Sequence, residues 1–76
     1  MANEDVARRN VETAIERRHE PFILSYVGRT EIGYTLKFRQ GIADIVRTGI
    51  DERTLEPPGL DRLLDEVRSA FHRLDG

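Results

Sequence analysis

The sequence predicts an α+β fold: one small domain over residues 1–76, ordered α-β-β-(β)-α, with two helices on one face of a short antiparallel sheet. Residues 59–74 place Leu60, Leu63, Leu64, Val67, Ala70, Phe71 and Leu74 within about 120° of a helical wheel that holds no polar residue. Ile32, Tyr34, Leu36 and Phe38 alternate with Gly33, Thr35, Lys37 and Arg39, the period of a half-buried strand. Pro21, Gly28, Gly41 and Pro57-Pro58-Gly59 punctuate the chain between such segments.

Residues 3–19 read as the first helix. Asn3 suits an N-cap, Glu4 and Asp5 suit the first turn, and Arg17, Arg18 and His19 complement the dipole at the other end. The apolar set is Val6, Ala7, Val11, Ala14 and Ile15; two are alanines, so this face offers little area. Pro21 ends the helix, because the residue before a proline avoids the α region.

Residues 22–28 read as a strand, with Phe22, Leu24 and Tyr26 on one face and Ile23, Ser25 and Val27 on the other. Both faces are mostly apolar, so cover is expected on both sides. Gly28-Arg29-Thr30 reads as a turn into a strand over 31–39, with one core face and one wet, basic face. Gly33 within that strand signals a bulge or a close backbone approach. Residues 42–50 fit a helical stripe as well as a strand; a third strand over 42–48 is preferred, since two strands are rarely stable alone. Leu55 is expected to anchor the connection over 51–59, and Pro58 suits the first position of the last helix. Gly76 suits its terminator.

Composition narrows the function classes. The chain has 76 residues, 12 Lys+Arg, 14 Asp+Glu and no cysteine, which excludes a disulfide scaffold and cysteine-based zinc sites. No apolar run approaches a membrane span, and the acidic opening Met1-Ala2-Asn3-Glu4-Asp5 is unlike a secretory signal, so a cytoplasmic protein is expected. Only Lys37 among the bases is lysine, a usage that fits a GC-rich bacterial or phage genome. The net charge of −2 divides into −1 over residues 1–20, +2 over 21–50 and −3 over 51–76. That balance is not the footprint of a nucleic-acid binder.

No catalytic, cofactor or metal set emerges. Ser25 and Ser69 lack a nucleophile-elbow context, and no phosphate-binding glycine motif is present. Glu16 with His19, and His72 with Asp75, supply two ligands each where a zinc site takes three or four. Asp61, Asp65 and Glu66 lie on the polar helix face, interleaved with Arg62 and Arg68, with no dry cleft to raise a pKa. Protein association has the stronger case. Two helices cover one face of a small sheet, so the two-sided first strand calls for a further covering surface, with Ile23, Val27 and Tyr26 as its contacts. The sequence therefore reads as a non-enzymatic, cofactor-free interaction protein that forms a homodimer and contacts other proteins. The alternative is a nucleic-acid-binding regulator using Arg29, Lys37, Arg39 and Arg47. Against it, Tyr34 and Phe38 face away from those charges and leave no aromatic among them.

Overall fold

In the computed structural model, which describes residues 3–75, the first helix α1 (Glu4–Arg17) starts where its sequence provides a cap. The Asn3 side chain accepts a hydrogen bond from the Val6 N–H at 3.0 Å, satisfying one of the donors that a helix start leaves free. The helix ends before Pro21, with two bonds that close its last carbonyls. His19 N–H donates to Glu16 O at 3.1 Å, and Glu20 N–H donates to Ile15 O at 3.1 Å. This is the Schellman arrangement, and it needs a left-handed residue at the position after the cap. That residue is His19, at φ +53°, where most helices place glycine.

Three strands follow, β1 (Ile23–Thr30), β2 (Gly33–Gln40) and β3 (Ala43–Ile50), paired antiparallel in the order β1-β2-β3. Two-residue turns, Glu31-Ile32 and Gly41-Ile42, join them. A short 3-10 helix (Glu52–Leu55), capped by the Asp51 side chain, leads to α2 (Gly59–Asp75). The strand assignment for residues 42–50 therefore holds, and each strand lies one or two residues later in the chain than the pattern placed it. Gly76 lies outside the described residues. Pro58 sits one residue ahead of α2, and its carbonyl accepts the Arg62 N–H.

The core lies between the helices and one face of the sheet. Ala7, Val11 and Ala14 of α1 and Leu60, Leu63, Leu64, Val67 and Phe71 of α2 are buried with Leu24, Val27, Tyr34, Leu36, Phe38 and Ile45 of the strands. α1 lies against β1 and α2 against β3. Phe22 joins the layers: its ring meets Phe38 edge-on at 5.7 Å and Phe71 at 5.5 Å. Leu55 is buried and anchors the connection as expected. Leu74, assigned to the α2 stripe, is exposed and takes no part in the core. Ile32 is exposed as well, since it occupies the turn rather than the strand. The turn lies at Glu31-Ile32 rather than Gly28–Thr30, and Gly28 is paired within β1. Gly33 marks a close backbone approach: a Cβ there would lie 2.6 Å from Ile50 O.

His19→Gly should raise stability by about 1 kcal/mol, the cost of holding a side chain in the left-handed region. Urea unfolding followed by circular dichroism checks this; a midpoint unchanged or lowered would show that the His19 side chain contributes contacts exceeding its strain.

Candidate interaction face

The face of the sheet turned away from the helices is built by register. Ile23 pairs with Arg39 and Arg39 with Asp44; Tyr26 pairs with Lys37 and Lys37 with Val46; Gly28 pairs with Thr35. Side chains directly opposite one another share a face, so these pairs form successive rows across the outer surface. Lys37 stands at the middle of the middle row. Ser25, Tyr26, Thr35, Lys37, Arg39 and Val46 line a shallow open depression there. The apolar members are exposed: Ile23 at 60%, Tyr26 at 52% and Val46 at 48%.

Tyr26 reaches this face through a bulge. Leu24 pairs with Phe38 and Tyr26 with Lys37, which leaves Ser25 as an extra residue in β1. Its hydroxyl donates to Lys37 O at 3.2 Å. The inserted residue shifts the alternation by one position, so Leu24 and Val27 point to the core while Ile23, Ser25 and Tyr26 face outward. The uninterrupted alternation expected for this strand is thereby corrected. Of the three residues expected to contact a partner, Ile23 and Tyr26 lie on the open face, and Val27, 8% exposed, belongs to the core.

The Tyr26 ring lies along the strand over Gly28. A Cβ on Gly28 would come within 2.4 Å of Tyr26 Oη and 2.9 Å of Cε2. The absent side chain thus leaves room for the ring to rest on the sheet.

The four basic residues of the nucleic-acid reading divide. Lys37 and Arg39 are on the open face. Arg29 pairs with Tyr34 on the helix side, its guanidinium 5.7 Å from that ring's centroid. Arg47 pairs with Leu36 and lines a hollow with Asp65, Glu66, Ser69 and Arg73 of α2. Arg39 is itself partnered, with Nε donating to Asp44 Oδ1 at 3.0 Å. The Arg39 hydrogen bond holds the Asp44 carboxyl below its ordinary pKa. Lys37 forms no salt bridge among the described residues.

A second charged cluster lies where α1 ends. The Glu20 side chain is fully buried and gives Oε2 to Arg18 Nε at 2.9 Å and Oε1 to Arg68 Nη2 at 2.7 Å. Arg18 also donates to the Asp61 carbonyl at 2.9 Å, to Asp61 Oδ1 at 3.2 Å and to Asp65. Asp65 first, then Asp61 and Glu20, raise the Arg18 pKa further above its ordinary value, against desolvation. Arg17 adds a bond to Asp61 Oδ1 at 3.0 Å. Both oxygens of the buried carboxylate are thus taken by guanidinium groups, an arrangement that fastens α1 to α2. Asp61 and Asp65 of α2 pair with Arg17 and Arg18 rather than with the neighbouring Arg62 and Arg68. Sequence reading missed this, because the partners are more than forty residues apart.

Among the described residues no three His, Cys, Asp or Glu side chains gather to hold a metal ion, and no helix is long and apolar enough to cross a membrane. No protein family, curated relative or solved structure matches this chain.

Glu20→Ala should cost about 1 kcal/mol, because it removes the buried carboxylate that links Arg18 to Arg68 while Arg18 keeps Asp61 and Asp65. The urea midpoint reads the loss, and a change under about 0.5 kcal/mol would show that the surrounding carboxylates take over the pairing. Gly28→Ala should leave stability within about 1 kcal/mol and displace the Tyr26 ring. Ring-proton NMR shifts of Tyr26 report that displacement, and unchanged shifts would contradict it.

Proposed function

We propose that this chain is a non-catalytic protein-interaction module that acts through the open face of its sheet. One observation carries the reading: Ile23, Tyr26 and Val46 stand about half or more exposed on a sheet face that neither helix covers. Isolated exposed apolar residues are ordinary, but here Ile23 and Tyr26 of β1 and Val46 of β3 flank Lys37 and Arg39 of β2 on one face, a mixed surface of the kind that protein contacts use. The sheet edges are less suited to addition of another strand. β1 is bulged at Ser25, and β3 carries an extra residue between Arg47 and Ile50, which breaks its register with β2. The face is therefore the better docking surface. The cysteine-free composition is compatible with a reducing, cytoplasmic setting.

Nucleic acid is the second reading, and one observation favours it. The bulge sets the aromatic ring of Tyr26 beside Lys37, supplying the stacking surface that a regular strand would have lacked. Against it stand Asp44 on the same face and the dispersal of Arg29 and Arg47 to the other.

Photo-crosslinking in the source cell tests the contact role. A benzophenone-bearing analogue replaces Tyr26 in one variant and Arg62, exposed on α2, in another. Discrete protein adducts from position 26, absent from position 62, are expected. Adducts whose mass is a multiple of 8.8 kDa would identify a second copy as the partner. No adduct at position 26, or equal yields at both positions, would overturn the contact role.

A further inference from the structure

The two helices are attached to the sheet by different means. α1, fourteen residues long, buries Ala7, Val11 and Ala14, with Ile15 partly buried beside them. α2, seventeen residues long, buries Leu60, Leu63, Leu64, Val67 and Phe71. Stabilisation follows the apolar area removed from water, so α1 gains much less from its packing than α2 does. Its flank is also loose. An open groove of about 560 Å³ separates Arg9, Asn10 and Thr13 of α1 from Leu55, Pro57 and Leu60 opposite, and side chains across such a gap forfeit their dispersion contacts.

The attachment of α1 is concentrated instead at its last turn. Arg17 and Arg18 bond Asp61, Arg18 bonds Asp65, and Glu20 bonds Arg68, all three partners lying on α2. Glu20 and Arg18 bond each other, so the cluster is continuous from helix to helix. Between them the chain passes through His19 at φ +53°, a conformation that disfavours any side chain. The closed hinge therefore holds strain that an open hinge releases.

We propose that α1 is a latched lid, which swings away as a unit while the sheet and α2 stay folded, with the ion cluster at its last turn as the latch. Elements with little buried apolar area open in this way below the free energy of global unfolding. α1 lies against β1, so opening uncovers Leu24 and Val27, the buried large side chains of that strand. The remainder keeps α2 against β3, and keeps Phe22 between Phe38 and Phe71. The chain thus has two folded states, one with the helix side of β1 covered and one with it bare, and the charges of the cluster set the balance between them.

Amide hydrogen exchange of the full chain, followed by NMR at increasing urea below the unfolding transition, tests the proposal. Val11, Ala14 and Ile15 should share one opening equilibrium and one weak urea dependence, whereas Leu36 and Phe38 of β2 should open far less often and with a steeper dependence. Ile45→Val, on the strand farthest from α1, should speed exchange at Leu36 and Phe38 about fivefold, as for loss of one buried methyl group, and leave the α1 amides unchanged. Glu20→Gln removes the latch charge from the closed state alone, so it should speed exchange in α1 and in β2 alike, again about fivefold. Equal protection of α1 and β2 in the unsubstituted chain would overturn the lid, because α1 would then open only with the whole fold. A different rate and urea dependence for each α1 amide would overturn it as well, since the helix would fray rather than swing. Unchanged α1 exchange in the Glu20→Gln chain would overturn the latch.

Discussion

Two helices lie on one side of a three-stranded sheet, and the properties of this chain follow from that unequal cover. Every buried strand side chain points toward α1 or α2, and none of the described polar or charged residues is buried as a whole. The buried inner positions must therefore be apolar, and they are, while Arg29 and Arg47 on the same side stay at least partly exposed. Tyr34, the one buried strand residue with a polar tip among those described, has its hydroxyl buried without a hydrogen-bond partner. The outer face is released from that demand and carries a mixture of apolar, hydroxyl-bearing and charged side chains.

α1 buries Ala7, Val11 and Ala14 in the core and packs Ile15 against it, a small apolar area for fourteen residues. The ion cluster at its end supplies what the small side chains do not. Arg18 reaches two carboxylates and a carbonyl of α2, and Glu20 returns the connection through Arg68. The Schellman turn directs this bridging: with His19 left-handed, the chain doubles back and lays Glu20 under Arg18. Helix termination and tertiary attachment are therefore one local event, which explains why a strained backbone position persists there.

Periodicity made the fold class, the element order and the inner faces of β2 and α2 legible in the sequence, because those segments repeat without interruption. The faces of β1 were not legible beyond Leu24. A bulge inserts one residue, no residue type announces it, and every later side chain changes sides. The ion cluster was hidden for another reason. Charge pairs at helical spacing can be read locally, whereas the partners of Arg18 are fixed only when the sheet brings the two helices together. The candidate face was half legible. Lys37 and Arg39 were placed correctly by alternation, Tyr26 was not, and Arg29 and Arg47 were drawn to the other side by pairing with Tyr34 and Leu36.

The bulge matters more to the surface than to the core. A regular β1 carrying Leu24 inward would also send Tyr26 inward and put Val27 outside, leaving Ser25 rather than an aromatic ring opposite Lys37. The inserted Ser25 keeps Leu24 and Val27 buried together and leaves Tyr26 outside. Gly28 then allows the ring to lie down rather than stand into solvent. A bulge costs ladder regularity, and a glycine within a strand costs conformational entropy. Both occur in one strand, and together they set one aromatic ring against the sheet beside Lys37. The same inserted residue that keeps Leu24 and Val27 in the core thus gives the open face its form.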